Sequence, residues 1–245
     1  MLLTKLEHLK SRVATDAVAY ANAKPFPHIV IDGLLTESAL AEAVREFPHP
    51  HAIDDWRRAD ALDAQGRVAQ RLKLGYSNEL LFGRTLRALV HELHSSPFLR
   101  YLEQVTGISD LIPDAHMTGG GLHQYLPGAV LRVHADFNKL PAFNLDRRLN
   151  LLIYLNPEWN PDWGGNLELW DREMTARVQS IAPVANRCVI FSTTHDSFHG
   201  MPDPLACPEG TTRRSLALYY YSNGRPEAER VDEHSTLWQA RPDET

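Results

Sequence analysis

The sequence predicts a mainly β protein with a helical N-terminal part, in which a two-sheet jelly-roll barrel is flanked by α-helices. Seven short runs rich in Val, Ile, Leu and Tyr recur in about a hundred residues, at 121–126, 129–135, 148–155, 166–171, 176–181, 187–192 and 213–221. Pro, Gly, Asn and Asp separate them, and many short strands punctuated by turn residues read as a sandwich or barrel. Before Gly107 the apolar residues instead recur at spacings of three and four, the period of a helix. Each such helix needs a surface for its apolar stripe, and the outer face of a sheet supplies one. The 245 residues therefore read as one domain, with a mainly helical flank (1–110), a jelly-roll core (111–222) and a C-terminal extension (223–245).

Taken in order, Leu2, Leu6, Leu9, Val13 and Ala17 mark an amphipathic helix that Pro25-Phe26-Pro27 ends, because proline disfavours helix at and before its own position. His28-Ile29-Val30-Ile31 is a short strand closed by Asp32-Gly33. Thr36 is placed to cap a second helix bearing Leu40, Val44 and Phe47. From Pro48 to about Gln70 the pattern dissolves, which predicts a surface loop. Helical spacing returns at Ser77 with Leu80, Leu81, Leu86, Leu89, Val90 and Leu93, then resumes after Ser96-Pro97, a cap followed by a first-turn proline. His91 and His94 lie three apart here, and the expectation is capping or exposed histidines rather than a metal pair. The tail from Asn223 is rich in Arg, Glu and Pro; Leu237-Trp238 is its one docking candidate, and its last residues are expected to be mobile.

Composition narrows the function classes. Hydrophobic residues at 43% and charged residues at 23% describe a soluble globular protein. No apolar run is long enough to span a bilayer, and the N-terminus resembles neither a signal peptide nor an anchor, so no membrane role is expected. A formal charge of -6 speaks against a nucleic-acid surface, which needs clustered Lys and Arg. Cys188 and Cys207 show no paired spacing, which points to a reduced, cytoplasmic compartment without a disulfide framework.

The chemistry concentrates on Val133-His134-Ala135-Asp136. His134 and Asp136 are two apart, so on a strand they share a face. An imidazole and a carboxylate pointing into one pocket are two of the three ligands of a non-haem Fe(II) site. Beyond the apolar strand Arg187–Phe191 come two candidates for the third, His195 and His199. His199, 63 residues after Asp136, is favoured because it follows a longer loop and precedes Gly200, which permits close backbone approach. Downstream, Arg213, Ser215, Ala217 and Tyr219 share one strand face and Arg214, Leu216, Leu218 and Tyr220 the other. Small residues suit the inner face and the leucines suit the helices, so Arg213 points inward. An unpaired guanidinium there is costly, and either a protein carboxylate or a carboxylate-bearing ligand would relieve it.

This order, His134-x-Asp136, then His199, then Arg213-x-Ser215, resembles the Fe(II)- and 2-oxoglutarate-dependent oxygenases, specifically the prolyl-4-hydroxylase-like group. The resemblance covers roughly residues 119 to 222 and includes Tyr125 in Tyr-x-Pro-Gly, the strand Asn150-x-Leu152-x-Tyr154-Leu155-Asn156, and Gly164-Gly165-Asn166-Leu167-Glu168-Leu169. It implies a double-stranded β-helix, the cupin-like form of the jelly roll. It further implies Fe(II) on His134, Asp136 and His199, and 2-oxoglutarate held at its distal carboxylate by Arg213, with Ser215, Tyr125 and Tyr154 as further cosubstrate contacts. A register shift of one residue would put Arg214 in the place of Arg213.

The implied reaction consumes O2 and 2-oxoglutarate, releases succinate and CO2, and hydroxylates an unactivated C–H bond; an intact Asp136 favours hydroxylation over halogenation. A small-molecule or amino-acid-like substrate is expected, partly because the turn from Asn156 to Trp163 is too short to clamp a peptide. A prolyl or protein side-chain hydroxylase is the alternative, as is a cupin-like oxygenase without 2-oxoglutarate, for which Arg213 would be dispensable. Charged residues in the loop 137–147 and the neighbouring Arg148 are expected at the pocket mouth, with the loop 48–70.

Overall fold

The structure, a computed structural model, describes residues 2–54 and 56–244. Helix α1 (Leu6–Asn22) buries Leu6, Leu9 and Tyr20, and the chain then crosses Pro25 and Pro27 into strand β1 (His28–Asp32). Thr36 caps α2 (Glu37–Glu46) as its residue type predicts: its hydroxyl accepts the Ala39 N–H at 3.3 Å. Such a cap contributes about 1 kcal/mol. Further on, α3 (Arg84–Leu93) and α4 (Ser96–Thr106) follow one another, and Gly107 closes α4 in the left-handed region at φ 71°. The cap of α4 is Ser95, one residue earlier than the Ser-Pro pair suggests. Among the described residues, no helix is long and apolar enough to cross a membrane.

The segment expected as a loop is different. Short strands β2 (Arg57–Arg58) and β3 (Ala61–Leu62) fold onto β4 (Val68–Tyr76), which pairs in turn with the central strand. That central strand, β6 (Gly121–Ala135), follows the two-residue β5 (Ile112–Pro113). Pro127-Gly128, which reads as a turn between two strands, is an interruption within this single strand, with Gly128 at φ +78°. Then come β7 (Lys139–Leu140), β8 (Leu145–Tyr154), β9 (Leu167–Trp170), β10 (Arg177–Ile181), β11 (Arg187–Ser192), β12 (His199–Met201), β13 (Arg213–Ser222) and β14 (Leu237–Trp238).

The main path through the sheet is β1-β11-β8-β13-β6-β12-β9-β10. Along one edge of β6 the partner changes from β13 (at 121–125) to β12 (at Leu131 and His134); along the other, β4 pairs from Leu122 to Leu131 and β14 takes over at His134 and Ala135. This change of partners curls the antiparallel sheet into a half-barrel with four helices outside, the mainly β architecture that the strand pattern predicts. Leu149, Leu151 and Ile153 of β8 and Leu216, Leu218 and Tyr220 of β13 face outward and join Leu9, Leu86 and Leu102 of the helices in one apolar cluster. Each fully buried leucine there contributes roughly 1.5–3 kcal/mol. The tail is not loose: β14 pairs with β6, Arg132 meets Glu244 at 2.8 Å, and Arg241 meets Asp203 at 2.8 Å.

Candidate active site

Strand register assembles the site in two rows across β6. Residues opposite one another on antiparallel strands point the same way. In one row Trp238 of β14, His134 of β6 and His199 of β12 are in register. In the other, Lys73 of β4, Tyr125 of β6 and Arg213 of β13 are in register. Tyr125 and His134 are an odd number of residues apart, so a regular strand would turn them to opposite faces. The irregularity at Pro127-Gly128 restores the alignment, since one extra residue inverts the alternation.

His134, Asp136 and His199 offer ligand atoms that all lie within 4.8 Å of one another. His134 Nε2 lies 3.7 Å from Asp136 Oδ1, and His199 Nε2 lies 3.5 Å from Asp136 Oδ2. Each imidazole donates its Nδ1 proton to a backbone carbonyl two residues upstream, His134 to Arg132 at 2.8 Å and His199 to Ser197 at 2.9 Å. A carbonyl can only accept, so both Nε2 lone pairs are left facing the carboxylate. Burial, reinforced by the neighbouring His134, pushes His199 down to about 4, so it is neutral at pH 7. Gly200 does what its position predicts: a Cβ there would sit 2.9 Å from the carbonyl oxygens of Leu131 and Arg132, closing off the β12–β6 approach. His195 is about half exposed, beside Asp196, and stands outside the cluster.

Asp136 is held ionised by partners that the sequence does not reveal. Burial alone would raise its carboxyl, yet Arg147 and the two histidines hold it well below the usual carboxylate range. Arg147 reaches Asp136 Oδ2 at 3.1 Å and donates twice to Asn150 Oδ1, at 3.1 and 2.6 Å. Asn150 in turn donates to Asp136 Oδ2 at 2.7 Å. The guanidinium is 3.6 Å from the Tyr219 ring centroid and 4.4 Å from that of Phe137. Arg147 is therefore a wholly buried part of the site rather than loop charge. Arg148 faces away, to Ser222 and Glu229, and Asn138 ties the tail through Asp232 and His234.

The other row contains Arg213, which is 5% exposed and meets no carboxylate among the described residues. Its Nε donates to the Gly165 carbonyl at 2.6 Å and an Nη to the Tyr154 hydroxyl at 3.1 Å, so its remaining edge faces the cavity. Ser215 and Tyr125 also line that cavity, whereas Tyr154 stands behind Arg213. Arg214 points out towards Phe47, as strand parity predicts. Among the described residues His91 and His94 belong to no cluster of three or more metal-ligating side chains; His94 packs edge-on to Tyr220. The cavity of about 330 Å³ holds both rows, with Phe137, the β2–β4 segment and Trp238 around it.

Two imidazole donors and one carboxylate on a single face fit Fe(II), and an inward guanidinium without a carboxylate fits a cosubstrate that carries one. Residues 120–221 match the family described as the 2OG-Fe(II) oxygenase superfamily. The mouse (Mus musculus) prolyl 3-hydroxylase OGFOD1 is 32% identical over 140 residues, covering 56% of this chain and 23% of the relative. The chain thus spans about a quarter of that protein's length. A Trichoplax adhaerens prolyl hydroxylase, solved with a hypoxia inducible factor oxygen degradation domain peptide fragment, superposes with a TM-score of 0.60 at 20% identity, covering 89% of this chain and 94% of that one. HygX from Streptomyces hygroscopicus, solved with nickel, 2-oxoglutarate and hygromycin B, gives 0.52 at 12% identity over 89% of this chain and 95% of that one. With its half-barrel and its donor set, the chain is similar over residues 120–221 to the 2OG-Fe(II) oxygenase superfamily, and its fold is that of the prolyl hydroxylases.

Proposed function

We propose that the protein is a 2-oxoglutarate-dependent dioxygenase that hydroxylates an unactivated C–H bond of a small-molecule or amino-acid-like substrate. One observation carries this reading: a buried arginine without a carboxylate partner shares a cavity with a two-histidine, one-carboxylate cluster. His134, Asp136 and His199 would hold Fe(II). Arg213 would hold the distal carboxylate of 2-oxoglutarate, with Ser215 and Tyr125 beside it and Tyr154 fixing the guanidinium. When bound, iron with O2 and 2-oxoglutarate supplies the oxidation, in which the 2-oxo acid becomes succinate and CO2 and one oxygen atom enters the substrate.

The chain's own contribution is positional and electrostatic. The Arg132 and Ser197 carbonyls fix both histidine tautomers, and Arg147 with Asn150 keeps Asp136 anionic and immobile. Trp238, with its ring centroid 5.0 Å from that of His134, covers one side of the cluster and limits water there. Free, buried Cys188 and Cys207 support a reducing, cytoplasmic setting.

A second reading, in which the substrate is a prolyl residue of a peptide or protein, is favoured by the mouse relative and by the β2–β4 segment, which supplies the mouth with a flap that the short Asn156–Trp163 turn does not. Anaerobic addition of Fe(II) and then 2-oxoglutarate tests the common core. A metal-to-ligand charge-transfer band that appears only with both is expected, and its absence would refute the proposal. Succinate release with proline-containing peptides, set against a panel of free amino acids and metabolites, then separates the two substrate readings.

A further inference from the structure

The cavity holds one positive charge that neither metal nor cosubstrate binding uses. Lys73 projects from β4 in register with Tyr125, its Nζ 5.8 Å from the Tyr125 ring centroid, while Arg213 lies 5.4 Å from the same ring. Lys73 lines the cavity and has no carboxylate within ion-pair distance among the described residues. Among the described residues Asp136 is the one carboxylate lining the cavity, and it is already held by Arg147 and Asn150. Arg57, on the adjoining strand β2, brings a further exposed guanidinium to the same wall. Burial lowers the Lys73 ammonium from its ordinary range; Tyr219 and the more distant Asp136 carboxylate oppose this, and Arg147 and Arg57 add to it.

Formal charge sharpens the point. In the loaded site Fe(II) and dianionic 2-oxoglutarate cancel, as do Asp136 and Arg147. With Arg213 taken by the cosubstrate, Lys73 remains unpaired in the cavity and Arg57 adds a second positive charge at its exposed edge, where like charges repel. Both carboxylates of the cosubstrate are engaged, one at the metal and one at Arg213, so the missing anion belongs to another molecule. We infer that the primary substrate carries an anionic group of the carboxylate or phosphate class, received by Lys73 with Arg57 at the cavity mouth. This rests on the assignment of Arg213 to 2-oxoglutarate, and it restricts the substrate to acids: either a small acid or a peptide that presents one.

The test uses full-length protein loaded anaerobically with Fe(II) and saturating 2-oxoglutarate. Binding of acetate and inorganic phosphate is followed by paramagnetic broadening of their ¹H and ³¹P resonances. Wild type should bind both saturably. Lys73→Met should weaken binding about ten- to a hundredfold, the range for a charge-assisted hydrogen bond, and Lys73→Arg should keep most of it. The charge-transfer titration should return an unchanged 2-oxoglutarate affinity in both variants. Equal anion binding by wild type and Lys73→Met, or no binding by wild type, would overturn the inference. So would a parallel loss of 2-oxoglutarate affinity in Lys73→Met, which would place Lys73 on the cosubstrate. A wild-type protein without the charge-transfer band would instead refute the parent assignment, a distinguishable failure. N-acetyl amino acids against their amides, and a short peptide with one glutamate against its glutamine form, then identify the source of the acid; acid and amide binding alike in both pairs would also overturn it.

Discussion

Replacing Arg147 with methionine isolates the network that keeps Asp136 ionised. Methionine retains an apolar stem between Phe137 and Tyr219 but removes the guanidinium, and with it the contact to Asp136 at 3.1 Å and both bonds to Asn150. Asp136 then keeps the Asn150 bond at 2.7 Å and loses its permanent counter-charge. Breaking a buried ion pair by deleting one partner costs about 3–5 kcal/mol, a fifth or more of a typical domain's stability of roughly 5–15 kcal/mol. At about 2–4 °C per kcal/mol for a chain of this size, the metal-free protein should melt roughly 6–20 °C lower.

A divalent metal supplies the missing charge, so saturating Mn(II) or Ni(II) should raise the melting temperature of Arg147→Met by more than it raises that of wild type. The double variant Arg147→Met/Asp136→Asn should recover much of the metal-free loss, because removing both charges leaves no buried ion unpaired. Thermal melts of the four proteins, with and without metal, complete the cycle. Metal-free Arg147→Met within about 1 kcal/mol of wild type, or a double variant no better than the single, would refute the reasoning.

Arg213→Met should weaken 2-oxoglutarate binding roughly a hundred- to a thousandfold, as loss of a bidentate charged pair requires, while Arg214→Met, which alters an outward side chain near Phe47, should stay within about threefold; titration of the charge-transfer band decides, and the reverse ranking would show the strand register to be wrong. His94 gives an acid-stability test away from the site: burial pushes it down to about 4, and its Nε2 has no hydrogen-bond partner. The unfolded chain therefore takes up this proton first, so stability present above the ordinary histidine value near 6.5 is lost as pH falls towards 4. His94→Phe should remove about 2 kcal/mol of the loss between pH 7 and 5, read as urea midpoints at the two values; an unchanged slope would rule this residue out.

Where a strand is regular, its chemistry was legible from alternation alone. On β13, parity turns Arg213, Ser215 and Tyr219 to the cavity and Leu216 and Leu218 to the helices, and the structure agrees. The His-x-Asp pair and the glycine after His199 were readable for the same local reason. What escaped lies where the alternation is broken. Between β8 and β13 the register slips so that Tyr220 opposes Leu149 but Tyr221 opposes Arg147. Straight counting puts Arg147 on the outward face with Leu149 and Leu151; the slip turns it inward onto Asp136. A second slip on β4, between Arg71 and Lys73 around Leu72 at φ 56°, accompanies the inward turn of Lys73. Leu237-Trp238 read as a docking pair, but its place against His134 did not, since that depends on a tail returning more than a hundred residues later, a contact with no local pattern. Of the proposed metal ligands, His134 and Asp136 are thus written in a short spacing and His199 arrives by strand pairing, whereas Arg147 and Lys73, proposed to tune the site and to face the substrate, are placed where the register slips. On the proposed roles, substitution at the register irregularities, at Lys73 and Arg147, should change substrate preference and metal-site stability respectively.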